Sequence, residues 1–201
     1  MGFELVIFDL GGVLVRVERE RLLERLAQET RKPLAWLEDI MADAKLLDPF
    51  ERGHVQPKQF FQQFRERLGI AWTDEQLITA WNGILYENLE TTWLLQRLRE
   101  RYTLLVLTNT NVLHDEYIRQ TWSVFRHVHH WIASYQVGWR KPEPEMYQLA
   151  LRQARVEPRA AIYVDDTKEL VDAARQLGLT GIHFRPGLKL AEELHAAGLH
   201  V

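Results

Sequence analysis

Four places in the chain put polar residues where an apolar run stops. Asp9 closes Val6-Ile7-Phe8 and is followed by Leu10-Gly11-Gly12; Thr108 and Asn109 close Thr103–Leu107. Asp165 and Asp166 close Ala161-Ile162-Tyr163-Val164, and Lys141 follows a fainter run from His130 to Tyr135. Each has an ordinary explanation alone: a turn aspartate, a helix-capping threonine, a solvated lysine before prolines, an acidic helix start. Taken together they have a common chemistry. A carboxylate can attack phosphorus and carry the phosphoryl group, splitting one hard displacement into two easier ones. The charge on the transferring oxygens needs neutralising, which a hydroxyl, a lysine and a metal ion can share. Paired carboxylates suit Mg²⁺, a hard cation that takes oxygen ligands and keeps several waters. The set spells a phosphoryl-transfer site.

Such residues can meet only if their elements bring them together. β-branched apolar runs read as buried parallel strands, and ligands bind at the carboxyl ends of such strands. From Thr103 onward strand and helix patterns alternate: Thr103–Leu107, a helix through Tyr117, Ile118 and Trp122, His130–Tyr135, a helix over Glu143–Ala154 and the strand at Ala161. A helix to Leu177 with Gly178 as its stop, a strand over Gly181–Phe184 and a helix over Leu188–Ala197 complete the series. This alternation predicts an α/β fold with a doubly wound parallel sheet. Between the first strand and this series the pattern is helical throughout, from Glu18 to Asn88. Its stripes are Leu22, Leu23 and Leu26; Trp36, Leu37, Ile40 and Met41 beyond Pro33; Phe60, Phe61, Phe64 and Leu68; and Leu77, Ile78, Trp81 and Leu85. Phe50–Pro57 reads as a turn, and Thr73-Asp74-Glu75 opens a helix. The expected organisation is a core of residues 1–16 and 89–201 with a helical insertion over 17–88.

The 201 residues, 46% hydrophobic and 26% charged, suffice for a sizeable core. A net charge of −3 argues against nucleic-acid or membrane-surface partners, no stretch reads as a membrane span, and the start lacks a signal-peptide pattern, so a cytoplasmic protein is expected. The absence of cysteine removes disulfides and thiol catalysis.

With these residues in view, the chain resembles the haloacid dehalogenase-like (HAD) hydrolase superfamily over essentially its whole length. Phe8-Asp9-Leu10-Gly11-Gly12-Val13-Leu14 is similar to the family's first motif, Leu107-Thr108-Asn109 to the second, Arg140-Lys141-Pro142 to the third and Val164-Asp165-Asp166 to the fourth. The helical insertion resembles the cap placed between motifs one and two, and Glu51-Arg52-Gly53 a recurrent cap turn. The Asp-Leu-Gly variant is similar to that of bacterial sugar-phosphate phosphatases. The resemblance implies Asp9 as nucleophile and metal ligand, with the Gly11 carbonyl and Asp166 also on Mg²⁺. It implies Thr108 and the Asn109 amide on phosphate oxygens, Lys141 neutralising the phosphoryl group and Asp9, and Asp165 behind Lys141 or a metal-bound water. The expected partner is a small phosphorylated substrate, and the chain a monomer or homodimer.

One position departs from the pattern. The family's general acid/base is a second aspartate, and here it is Gly11. An easily expelled leaving group, a substitute from Glu51, His54 or Asp115, or loss of catalysis in favour of phosphate-ligand binding would each account for it. Metal-independent 2-haloacid dehalogenation is a further reading, which the Asp165-Asp166 pair disfavours. A receiver domain shares the Asp, Thr and Lys chemistry but lacks the insertion. His127, His129 and His130 offer a weak zinc reading, Trp139 a role in shaping the crevice, and Trp36, Trp72 and Trp81 a lining for a cap pocket.

Overall fold

The computed structural model describes residues 2–185 and 189–201. The expected start of the last helix at Leu188 lies outside the described residues. Strands are β1 (Leu5–Phe8), β2 (Val15–Val17), β3 (Leu85–Glu87), β4 (Thr103–Thr108), β5 (His130–Ala133), β6 (Ala161–Asp165) and β7 (Thr180–His183). Helices are α1 (Arg19–Thr30), α2 (Leu34–Met41), α3 (Ala44–Glu51), α4 (Pro57–Leu68), α5 (Asp74–Asn82), α6 (Leu89–Leu98), α7 (Val112–Thr121), α8 (Ser134–Val137), α9 (Pro144–Ala154), α10 (Lys168–Gln176) and α11 (Leu190–Ala196).

The main sheet has the order β5-β4-β1-β6-β7, and every pairing is parallel. β1 is its centre and is buried along its whole length. Successive side chains of a strand face opposite ways, and the core divides accordingly. Val6 and Phe8, with Leu104, Val106, Ile162 and Val164, pack on one face. Leu5 and Ile7, with Leu105, Leu107, Ala161 and Tyr163, pack on the other. Burial on both faces is why these strands read as unbroken apolar runs rather than alternating ones.

The first of these faces continues into the inserted helices, where Leu22, Leu26, Leu37 and Phe50 belong to the same apolar cluster. An aromatic stack holds the insertion together: Phe50 and Phe60 lie parallel at 4.1 Å, and Trp81 meets Phe60 edge-on at 5.0 Å. Thr73 opens α5 with a reciprocal capping box, its hydroxyl accepting from the Gln76 N–H while its own N–H donates to the Gln76 side chain at 2.8 Å.

The insertion differs from its reading in two respects. It is not purely helical. α5 stops at Asn82, and Leu85 lies in β3, which pairs antiparallel with β2 through Val15–Glu87, Arg16–Tyr86 and Val17–Leu85. This ribbon is the two-stranded neck through which the chain leaves and re-enters the sheet domain. Three-residue strands are too short to show a period, and their partners lie some seventy positions apart in the sequence. The second difference is at Phe50–Pro57: Phe50 and Glu51 end a separate helix, α3, and Pro57 is the first residue of α4. Proline inside α3, at position 49, hid that helix.

Candidate active site

The parallel register carries β1, β4 and β6 to one edge together. Phe8 is opposite Val106 and Val164, so Asp9, Thr108 and Asp165 emerge at adjoining strand ends. Lys141 reaches the same place from the loop before α9, with its side chain only 1% exposed. It is not a solvated lysine. Its ammonium lies 2.8 Å from Asp9 Oδ1 and 2.8 Å from Asp165 Oδ2. The backbone behind it is fixed by Asn109, whose side chain donates to the Lys141 carbonyl at 2.9 Å and accepts from the Lys141 N–H at 2.8 Å. The Lys141-Pro142 peptide is cis. Thr108 is buried and does not cap α7; that cap is Asn111, which accepts from the His114 N–H at 3.2 Å.

The three aspartates differ in what already surrounds them. Asp165 has no exposed surface, and its oxygens are occupied: Oδ2 accepts from Lys141 and from the Tyr163 hydroxyl, Oδ1 from the Thr167 N–H at 2.8 Å. Asp9 and Asp166 keep free acceptor capacity. One oxygen each from Asp9, Asp165 and Asp166 lies within 4.8 Å of the others. Burial pushes the Asp9 carboxyl up to about 6, against the pull of Lys141 and with the push of Asp165. Burial, with Asp165 nearby, also raises Asp166. Burial opposes the Lys141 charge as well, but Asp9 and Asp165 outweigh it and its pKa rises. Three carboxylates therefore gather around one ammonium, Asp9 and Asp165 buried and Asp166 open to solvent, leaving an excess of negative charge. A divalent cation with oxygen preference would relieve that excess, so the donor set fits Mg²⁺.

Gly12 makes the approach of Asp166 possible. Its φ is +79°, and a Cβ there would sit 2.1 Å from Asp166 Oδ2. Gly11 is different: its backbone is ordinary, and a Cβ would meet only Val17 Cγ2, at 3.3 Å.

Beyond these strand ends a cavity of about 600 Å³ opens between the sheet and the insertion. Leu10, Gly11, Thr108 and Asn109 form its floor, and α1, α2, α3 and α5 contribute walls. Of the substitutes considered for the missing acid, only Glu51 borders this cavity. His54 is exposed on the cap turn, and Asp115 is buried against Arg119 and the Tyr135 hydroxyl at 2.9 and 2.8 Å. Trp81 is part of the wall, but Trp36, Trp72 and Trp139 are not, and Trp139 stands 41% exposed. The three histidines do not converge on a metal. His127 contacts Gln96, His129 accepts from the Leu104 N–H, and His130 contacts Gln153.

The sequence reading missed a knot of ion pairs joining α3 to the Lys141 loop. Arg140 reaches Asp48 and Glu51, each at 2.6 Å. Arg52 reaches Asp48 at 2.8 Å, Glu143 at 2.5 Å and the Gly138 carbonyl at 3.0 Å. Next to it Gly53, at φ +72°, leaves no room for a side chain, since a Cβ would lie 2.1 Å from the Tyr135 carbonyl. The only signal was the adjacency of Arg140 to Lys141 and of Arg52 to Glu51; the partners themselves are about ninety residues away.

The family description "haloacid dehalogenase-like hydrolase" matches residues 3–178. A D-ribitol-5-phosphate phosphatase of Bacteroides thetaiotaomicron is 24% identical over 196 residues, covering 94% of this chain and 95% of its own. A sesquiterpene phosphatase of Aspergillus oryzae is 27% identical over 197 residues, covering 96% and 95%. Among solved structures, a HAD-family enzyme of B. thetaiotaomicron in complex with magnesium and inorganic phosphate superposes with a TM-score of 0.86 at 26% identity, covering 95% of this chain and 98% of that one.

Proposed function

The chain belongs to the haloacid dehalogenase-like hydrolase family, and on that premise we propose that it is a phosphatase of a small phosphomonoester, using Mg²⁺ and Asp9 as phosphoryl acceptor. The observation that carries this reading is Lys141 bridging Asp9 and Asp165 with Asp166 alongside, next to a ligand-sized cavity bordered by their neighbours Leu10, Gly11, Thr108 and Arg140. The relatives that act on phosphate esters and the neighbour that holds magnesium and phosphate support it.

In this reading an Asp9 oxygen attacks phosphorus as the bond to the leaving oxygen breaks, giving an aspartyl phosphate that water then hydrolyses, restoring Asp9. The Thr108 hydroxyl and Asn109 N–H hold the non-bridging oxygens, and the Lys141 ammonium offsets their charge. Asp165, its acceptors already used, positions Lys141 rather than reacting. Asp9, Asp166 and the Gly11 carbonyl would hold Mg²⁺, which supplies charge neutralisation on the transferring group. Residues 17–88 act as the cap and residues 1–16 and 89–201 as the catalytic core, with the Arg140 and Arg52 ion pairs tying one to the other. The chain works on a freely diffusing substrate without nucleic acid or membrane; among the described residues no helix is long and apolar enough to cross a membrane. A cytoplasmic setting suits such a substrate.

A panel of acyl, aryl and sugar phosphates, assayed with Mg²⁺ and with a chelator, tests this directly. Chelation is expected to remove hydrolysis, and Mg²⁺ is expected to raise the melting temperature, because it binds only the assembled cluster. Dehalogenation would survive chelation. Gly12→Ala should cost about 1–2 kcal/mol in urea unfolding from its left-handed backbone. It should also abolish the Mg²⁺-dependent rise in melting temperature, since Asp166 must swing out of the cluster.

Gly11 supports one competing reading, a binder of phosphate ligands that does not turn over. Gly11→Asp separates the two. General acid catalysis is typically worth about 10²–10⁴-fold, and a Cβ at Gly11 asks only a small shift of Val17. Turnover of an alkyl monophosphate should therefore rise in the variant. Tight phosphate binding with no turnover in either protein would favour the binder.

A further inference from the structure

We infer that the substrate of this site carries an apolar carbon skeleton on its phosphate, rather than a polyol or sugar. The inference rests on the phosphatase reading and narrows it. It comes from where the polar atoms around the cavity are spent.

The inner wall is built from Val15, Leu22, Ile84, Leu85, Trp81 and Ile118, all buried and all bordering the cavity. Charged residues border it too, in two places. Arg19, Glu20 and Glu38 are exposed at the rim and carry no ion pair among the described residues, so a polar contact with a ligand is open to them only there. Asp48, Glu51 and Arg140 are committed to one another at 2.6 Å.

Most of the deeper polar lining is satisfied from within the protein, the Thr108 and Thr110 hydroxyls excepted. Both side-chain ends of Asn109 bond the Lys141 backbone. The Asn111 carbonyl oxygen caps α7, and the Thr110 carbonyl accepts from Ser134 at 3.0 Å. His114 lies against Trp81 and contacts the Trp81 carbonyl with Nε2 at 3.0 Å and the Asn111 amide with Nδ1 at 3.4 Å. Burial pushes its pKa down to about 4, so at neutral pH it presents an uncharged ring. Trp81 Nε1 and Arg140 Nε have no partner, but both atoms are covered and face no open space.

A polyol laid along the inner wall would give up water at most of its hydroxyls and find few partners there, which costs affinity. An alkyl or isoprenoid skeleton has nothing to lose and removes the apolar wall from water. The volume of about 600 Å³ lies in the range of sites for medium-sized organic ligands.

The test is a series of straight-chain alkyl monophosphates from ethyl to octyl, assayed with Mg²⁺ below their aggregation concentrations. These alcohols are nearly equal as leaving groups, so the trend in kcat/KM reads burial of the chain. Each added methylene is expected to raise kcat/KM up to about fourfold until the cavity is filled. Octyl phosphate should exceed ribitol and sorbitol phosphates at least tenfold. A flat or falling series, or a polyol phosphate as the better substrate, overturns the inference. Acetyl phosphate serves as the reference for the parent reading. Its hydrolysis beside a flat alkyl series sinks only the apolar-substrate inference, whereas no hydrolysis of acetyl phosphate or of any phosphate ester sinks the phosphatase reading with it.

Discussion

Asp9→Asn is expected to lower turnover by about 10⁴-fold or more, the scale seen when a covalent nucleophile is removed, while leaving the fold as stable as before. The two halves of that result have one origin. Asp9 is buried beside Asp165, and its charge is disfavoured strongly enough to raise its pKa to about 6. A carboxyl whose folded pKa lies above its unfolded value binds more protons when folded. Its charged form therefore weakens the fold as pH rises through that window. At neutral pH and without metal, an amide of the same shape removes this penalty, while Lys141 keeps its contact with Asp165. Steady-state rates with acetyl phosphate and thermal melts in metal-free buffer check both. A melting temperature several degrees lower than the parent's would contradict the electrostatic description of the cluster.

Lys141→Met should behave in the opposite way on stability. The ammonium is the cation shared by Asp9 and Asp165, and it is 1% exposed. Removing one partner of a buried ion pair typically costs about 3–5 kcal/mol, because a charge is left in a dry site. Here Asp9 and Asp165 are both left behind, Asp165 with no exposure to water. Urea unfolding of the variant should show a loss of that size, and turnover should fall by about 10³-fold as the phosphoryl charge loses its counter-ion. Adding Asp165→Asn to Lys141→Met should restore much of the stability and none of the activity. If the double variant is no more stable than the single one, the cost lies in packing and not in stranded charge.

What could be read from the sequence was set by how local each signal was. β1, β4 and β6 are continuous apolar runs because both faces of the sheet are covered, so the strands and the polar residues at their ends were visible together. Parallel order then brought Asp9, Thr108 and Asp165 to one edge without knowledge of any contact. Lys141 was legible only as a member of that set, since nothing in Arg140-Lys141-Pro142 announces a buried side chain. Pairings between distant segments were beyond reach. The β2–β3 ribbon joins two runs of three residues, and neither has enough length to show a period. The bonds from Arg140 to Asp48 and Glu51 depend on how α3 docks against the Lys141 loop, which no spacing encodes. Which residue of Thr108-Asn109-Thr110-Asn111 caps α7 was open in the sequence, because several of them can cap a helix, and only the backbone assigns the role to Asn111. Glu51, His54 and Asp115 looked equivalent as acids. Docking of α3 leaves Glu51 beside the cavity, already paired with Arg140, while His54 and Asp115 lie elsewhere.

The central claim is that Asp9 carries the phosphoryl group. The most direct measurement is a single turnover with excess protein over acetyl phosphate in Mg²⁺, quenched in acid and followed by peptide mass analysis. One added phosphoryl group is expected on the peptide containing Asp9, absent from Asp9→Asn and absent when Mg²⁺ is withheld. A phosphoryl group on another residue, or hydrolysis that proceeds undiminished in Asp9→Asn, would contradict it.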